Sequence, residues 1–218
     1  MAGRGFGKTR SGAEWIAHEA RRHPRTEWAI VAPTYKDLKE VCMLALQAVL
    51  FDVPGVQYNL SSLEVKLPNG SIIRSYSAET PERCRGPNLS GVWLDEIAQS
   101  QNTYPEAYKT LSMAIRRKGS PAQIVATTTP EGQSKLVREF TGRKDDSVVI
   151  TRGSTFDNRD NLAEAFITDM ETRHKGTRFE RQELFGELLD DVPGALWTPD
   201  MIERNSGTLT GGPGRYGT

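Results

Sequence analysis

Ala2-Gly3-Arg4-Gly5-Phe6-Gly7-Lys8-Thr9 ends in the Gly-Lys-Thr step that grips nucleotide phosphates. In such a loop, backbone N–H groups and the positive end of a following helix converge on the anion, and the lysine reaches the β- and γ-phosphates. The usual form opens on a glycine. Here Ala2 takes that place, and Gly3, Gly5 and Gly7 supply the permissive backbone. Lys8 is therefore a candidate phosphate ligand and Thr9 a candidate magnesium ligand through its hydroxyl.

A second set of residues completes the chemistry. Val92-Trp93-Leu94 runs straight into Asp95-Glu96. Magnesium takes oxygen ligands and must bridge the phosphates near Thr9, a role suited to Asp95. Glu96 is placed to accept a hydrogen bond from an attacking water and to orient it toward the γ-phosphate. Together with the glycine loop, the acidic pair points to a nucleoside triphosphatase. Thr127-Thr128-Thr129-Pro130 ends another apolar run; its hydroxyls, Thr128 among them, either stand beside the γ-phosphate or satisfy their own backbone. Arginine supplies delocalised charge for a phosphoryl-transfer transition state. Arg4 lies inside the loop, and Arg83 and Arg85 precede the acidic strand.

The elements that must hold these groups are legible as alternating strands and helices. Helical spacing runs from Thr9 to Ala20, directly after the loop. Trp28 to Ala32 reads as a buried strand ended by Pro33, and Thr34 with Asp37 makes a capping-box-like start to a helix reaching about Leu50. Leu63–Leu67 and Ser71–Tyr76 flank Pro68-Asn69-Gly70 as a hairpin, and 77–90 reads as an irregular or briefly helical connection. Then come strand 92–94, a helix over 104–118, strand 124–126, a helix over 133–140 and a strand over 148–150. This order predicts an α/β fold with a parallel, doubly covered sheet. Helices are expected over 162–175 and 177–189, after which Pro193 and Pro199 break the pattern. From Gly207 to Gly217 there are five glycines and a proline, as in a linker.

Composition bounds the rest. The 218 residues suffice for one good-sized domain with a short extension. With 28 basic and 28 acidic side chains the net charge is zero, so any surface for nucleic acid must be local. No apolar run approaches the ~20 residues that span a bilayer, which predicts no membrane partner. Cys42 and Cys84 stand far apart, as do His18, His23 and His174, and none has metal-site spacing.

Taken together, Gly3 to Arg10, Arg85-Gly86, Val92 to Glu96 and Thr127 to Pro130 resemble the ATPase domain of tailed-phage terminase large subunits, including prophage and gene transfer agent copies. The loop arginine, the Arg-Gly step ten residues before the acidic pair and the threonine-rich motif carry the resemblance, which extends over about residues 1–200. It implies an α/β P-loop NTPase of the additional-strand catalytic-glutamate type, with a mostly parallel sheet. The implied arrangement is an ATPase core over 1–160, a helical extension over 161–203 and a glycine-rich linker over 204–218. It also implies ATP and Mg2+ as cofactors, double-stranded DNA as the translocated polymer, a portal protein and a small terminase subunit as partners, a homo-oligomeric ring, and action in the host cell cytoplasm. Within that scheme Glu96 is the catalytic carboxylate, Arg85 the finger reaching a neighbour's ATP, and Arg4 a loop arginine acting in its own site. Gly3, Gly5, Gly7, Lys8, Thr9 and Thr128 are the nucleotide-binding set, and Thr9 and Asp95 the Mg2+ set.

Both ends depart from the family's pattern. The strand that should carry the loop and the segment that contacts adenine are not found upstream, and the family's nuclease motif is not found before Thr218. Loss of a central strand would cost many kcal/mol against a net stability of ~5–15 kcal/mol, so a fragment of a longer protein is expected. Two basic clusters, Arg21-Arg22-His23-Arg25 and Arg116-Arg117-Lys118, are candidates for DNA phosphates or solvated helix ends. A helicase-like DNA-translocating ATPase and an inert terminase remnant are the competing readings.

Overall fold

The computed structural model describes residues 1–189 except Gln101 and Ser120. Pro193, Pro199, the last part of the expected helical extension and the whole of the expected linker over 204–218 fall outside the described residues.

Helix α1, Lys8–Arg22, follows the glycine loop. Ala13, Ile16, Ala17 and Ala20 recur at helical spacing and are buried as a stripe. Strand β1, Glu27–Ala32, sends Trp28, Ile30 and Ala32 into the core on one sheet face and Ala29 and Val31 into the core on the other. A strand buried on both sides reads as a continuous apolar run, as this one does. The Thr34 hydroxyl then accepts from the Asp37 amide while the Asp37 carboxylate accepts from the Thr34 amide, so the expected capping box is formed. Its helix is not uniform. It begins as α2, Tyr35–Asp37, widens into a π-turn over Leu38–Cys42 and resumes as α3, Met43–Val49.

The chain next forms β2 (Gln57–Asn59), β3 (Glu64–Lys66) and β4 (Ile72–Ser77). β3 and β4 are antiparallel around the predicted turn, where Gly70 has φ +84°. The short strand β2 was not apparent in the sequence. A 3-10 turn at Pro81–Cys84 leads to β5, Gly91–Leu94. Helix α4 spans Thr103–Ala114 and β6 spans Gln123–Ala126. The six strands lie in the order β2-β3-β4-β1-β5-β6, with β4, β1, β5 and β6 mutually parallel and the β2-β3-β4 meander antiparallel. Helices α1 and α3 cover one face; α4 and α5 (Lys135–Gly142) cover the other. The α/β expectation holds, with an antiparallel edge.

Three boundaries need correction. Residues 104–118 are not helical throughout: α4 stops at Ala114 because Ile115 bridges to Leu89, which leaves Arg116 to Lys118 beyond the helix. Val148 to Ile150 forms no strand, and Val149 is 90 % exposed. An apolar run becomes a strand only beside a pairing partner, and the nearest sheet pairing among the described residues is the single bridge between Ala2 and Gly153. Finally, after a 3-10 stretch at Thr155–Asn161 and helix α6 (Glu164–His174), the last helical turn ends at Leu184 rather than Leu189. Gly186, at φ +65°, breaks it.

Candidate nucleotide site

Parallel strands β1, β5 and β6 all point their C-terminal ends at the glycine loop, the place where open α/β sheets bind ligands. The loop is held at several points. Ala2 N–H donates to Thr128 O at 3.2 Å and Gly3 N–H to Gly153 O at 3.0 Å. Thr155 Oγ1 donates to Arg4 O at 2.6 Å and Asn158 Nδ2 to Gly5 O at 2.7 Å. Gly7, at φ +100° and ψ 19°, makes the left-handed turn into α1 that a side chain would disfavour. No side chain caps that end of α1, so its first-turn N–H groups remain for an anion.

Lys8 Nζ folds back over the loop and donates to Ala2 O (3.0 Å), Gly3 O (3.0 Å) and Thr129 Oγ1 (3.1 Å). Burial pushes its ammonium below the usual lysine range, against the opposing pull of Glu96, Glu183 and Asp95. Thr9 Oγ1 lies 3.4 Å from both carboxylate oxygens of Asp95. Asp95 is buried and also accepts from Thr127 Oγ1 on Oδ1 (2.6 Å) and from Cys42 Sγ on Oδ2 (3.6 Å). Burial raises its carboxyl above the usual range, while those donors pull it down. A hydroxyl and a carboxylate side by side are hard oxygen donors suited to Mg2+. Among the described residues no group of three or more His, Cys, Asp or Glu forms a cage for a metal. The ion's remaining ligands would therefore have to be phosphates and water.

Glu96 follows at φ +52°, a left-handed conformation that is strained for a residue with a side chain. Its Oε1 accepts from Thr129 N–H (2.9 Å) and Thr128 Oγ1 (3.1 Å). Burial raises its carboxyl, opposed first by the Thr129 amide and then by Lys8. The three threonines thus divide the site: Thr127 holds Asp95, Thr128 holds Glu96 and Thr129 accepts from Lys8. Thr128 also donates to Thr129 O at 2.8 Å, so its hydroxyl satisfies local backbone as well as Glu96.

The loop and these strand ends enclose a cleft of about 460 Å³ lined by Arg4, Gly5, Gly7, Lys8 and Thr9 on one side and Glu96, Thr129, Glu131 and Glu183 on the other. Arg4 is largely exposed; its Nε lies 3.5 Å from Glu183 Oε2. Arg83 and Arg85 are both exposed, and neither lines the cleft. Glu183, Glu131, Thr155 and Asn158 had no signal in the sequence. They are single polar residues far along the chain, brought to the loop only by folding.

Among the described residues no helix is long and apolar enough to cross a membrane. No curated protein sequence matches the chain. Solved structures do. The large terminase ATPase domain of Thermus phage P74-26 superposes with TM-score 0.64 at 18 % identity, over 86 % of each chain. A large terminase from a thermophilic bacteriophage gives 0.71 at 13 % identity over 86 % of this chain and 47 % of that one. The HK97 bacteriophage large terminase gives 0.62 at 17 % identity, with 86 % and 46 % covered. This chain thus spans about half the length of the latter two large terminases. At such identities the likeness establishes a shared fold. The sequence model described as "Terminase large subunit, T4likevirus-type, N-terminal" matches residues 1–204, and the chain therefore belongs to the terminase large subunit family, in its N-terminal region.

Proposed function

We propose that this chain hydrolyses ATP as the motor domain of a phage terminase large subunit, coupling hydrolysis to the movement of double-stranded DNA through a portal into a capsid. The observation that carries the reading is the apposition of Thr9 Oγ1 and both Asp95 oxygens at 3.4 Å, at the mouth of a loop whose helix end is uncapped. The large terminase of the thermophilic bacteriophage has been solved with ADP and with ATP-gamma-S, which supports a nucleotide here.

In this reading the triphosphate lies along Gly3, Gly5 and Gly7, on the N–H groups that open α1. Lys8 exchanges the Ala2 and Gly3 carbonyls for phosphate oxygens. Thr9 and Asp95 would hold Mg2+, which neutralises charge on the β- and γ-phosphates. Glu96 keeps Oε1 on Thr128 and Thr129, and presents Oε2 to the attacking water. Arg4 swings from Glu183 to the transferring phosphate. Arg85, exposed and outside its own cleft, reaches the nucleotide of a neighbouring copy in a ring. Thr128 connects the state of Glu96 to β6. A small terminase subunit and the portal are the further partners, and the host cytoplasm the place of action.

Steady-state hydrolysis by the purified chain tests this. Lys8→Ala and Glu96→Gln should each lower it by about 10²-fold or more, and activity indifferent to both would exclude the assigned site.

A further inference from the structure

The parallel strands end at the cleft, and they begin at a second surface that the nucleotide site does not use. There the turn between α1 and β1 is tightly pinned. Asn69 Nδ2 donates to Ala20 O and Arg21 O, both at 2.9 Å, while the Thr26 and Ser71 hydroxyls donate to His23 O at 2.5 and 2.7 Å. Arg25 adopts φ +57°, and its carbonyl accepts from Arg117 Nη2 at 2.5 Å. Arg117 N–H in turn donates to Leu89 O at 3.3 Å. The two basic clusters, some ninety positions apart in sequence, are thereby fused into one surface with a fixed backbone.

Arg21, Arg22, Arg25, Arg116 and Lys118 are exposed on it, and none takes part in an ion pair among the described residues. Elsewhere among the described residues some cations pair with carboxylates and others, such as Arg83, Arg85 and Lys135, do not. Arg10, Arg74, Arg143, Arg159, Arg173 and Arg181 all pair with carboxylates. Glu19, on the last turns of α1, lies against His18 and His23 instead. Cations at a helix C-terminus are favoured by the helix dipole, but that effect fades beyond the last turn. It covers Arg21 and Arg22 in α1; Arg25, Arg116 and Lys118 lie outside any helix.

We propose that this composite patch is a docking surface for the phosphate backbone of duplex DNA, on the face of the domain opposite the nucleotide cleft. It rests on the proposed function in taking DNA as the polyanion. Arg and Lys side chains without carboxylate partners, on a rigid backbone, suit sequence-independent phosphate contacts. No exposed aromatic side chain of the described residues stands in the patch, so it offers no stacking platform for single strands. β1, six residues long, separates patch and cleft by about 20 Å, far enough for the two surfaces to be altered independently.

The test compares the full chain with an Arg22→Ala/Arg25→Ala/Arg116→Ala/Lys118→Ala variant. Binding of a labelled 30-base-pair duplex is followed by fluorescence anisotropy over a range of salt, with DNA-free ATP hydrolysis and thermal unfolding measured alongside. The variant should bind at least tenfold more weakly, and the slope of log K against log salt should fall by about 3 to 4 if all four cations touch phosphates. Basal hydrolysis and the unfolding midpoint should match those of the parent. A variant that keeps the parent's duplex affinity and slope overturns the surface while leaving the ATPase reading intact. So does a parent that binds an acidic polypeptide in preference to duplex, or single strands as tightly as duplex. Loss of hydrolysis in Lys8→Ala, or its persistence, bears only on the ATPase reading.

Discussion

The Thr129 amide donates to Glu96 Oε1 at 2.9 Å, so the strand end beyond β6 holds the carboxylate assigned to the attacking water. Glu96 is reached through a left-handed backbone turn and is gripped again by Thr128. Glu96→Gln keeps the shape and removes the charge. ATP hydrolysis should fall about 10²- to 10⁴-fold, as for a lost general base, while ATP affinity stays within a few fold. Single-turnover hydrolysis alongside equilibrium binding separates the two.

Cys42, the last residue of the π-turn at Leu38–Cys42, sets its thiol 3.6 Å from Asp95 Oδ2. Its thiol donates to the carboxylate oxygen that Thr127 does not hold. Cys42→Ala should raise the Mg2+ concentration for half-maximal hydrolysis by roughly tenfold, the lower end of what loss of a ligand's supporting bond produces. Cys42→Ser should restore it. A Mg2+ titration at saturating ATP reads the difference, and equal curves for all three proteins would refute the role.

Thr155 donates to the carbonyl of Arg4 from a fully buried position. Thr155→Val leaves that carbonyl unsatisfied and loosens the loop, at about 1–3 kcal/mol. The expected outcome is an ATP Kd raised by about tenfold or more and a maximal rate little changed, measured by nucleotide titration and saturation kinetics.

Alkaline pH should destabilise the fold. Burial pushes the Cys84 thiol from 9.0 up to about 11 and raises the Tyr104 phenol well above its ordinary 10.0. Between the unfolded and folded values, the folded state keeps protons that the unfolded chain has released. Stability is therefore full below about pH 9 and declines as pH rises toward 11. Urea midpoints between about pH 8.5 and 10.5 should fall, and Cys84→Ala should flatten part of the decline.

What was legible in the sequence was local. The capping box at Thr34 and Asp37, the hairpin around Gly70 and the loop with its helix each depend on residues within a few positions of one another. The pairing of Lys8 and Thr9 with Asp95 and Glu96 was also legible, because strand ends in a parallel sheet gather at one edge. The clamp made by Thr155, Asn158 and Glu183 was not, since a lone threonine or asparagine becomes informative only when folding sets it against a particular carbonyl. Val148 to Ile150 failed for a related reason. Its composition suits a strand, but strands are pairings and no described strand lies beside it. Likewise α4 ends early at Ala114 through the tertiary bridge of Ile115 to Leu89.

Gly12 of α1 lies so close to the Trp93 indole that a Cβ there would stand 2.2 Å from the ring. Trp93 is one residue of β5, and its Nε1 donates to Thr127 at 3.1 Å. The helix that presents Lys8 and Thr9 is therefore keyed into the strand that presents Asp95 and Glu96, and that strand is tied to the threonines beside it. Sliding α1 would drive the ring into backbone, so phosphate loop, acidic pair and threonine motif form a single stiff chassis. In the proposed motor, a large stroke would then be delivered by parts hung on that chassis, such as the Glu183 turn across from Arg4, and not by distortion within it.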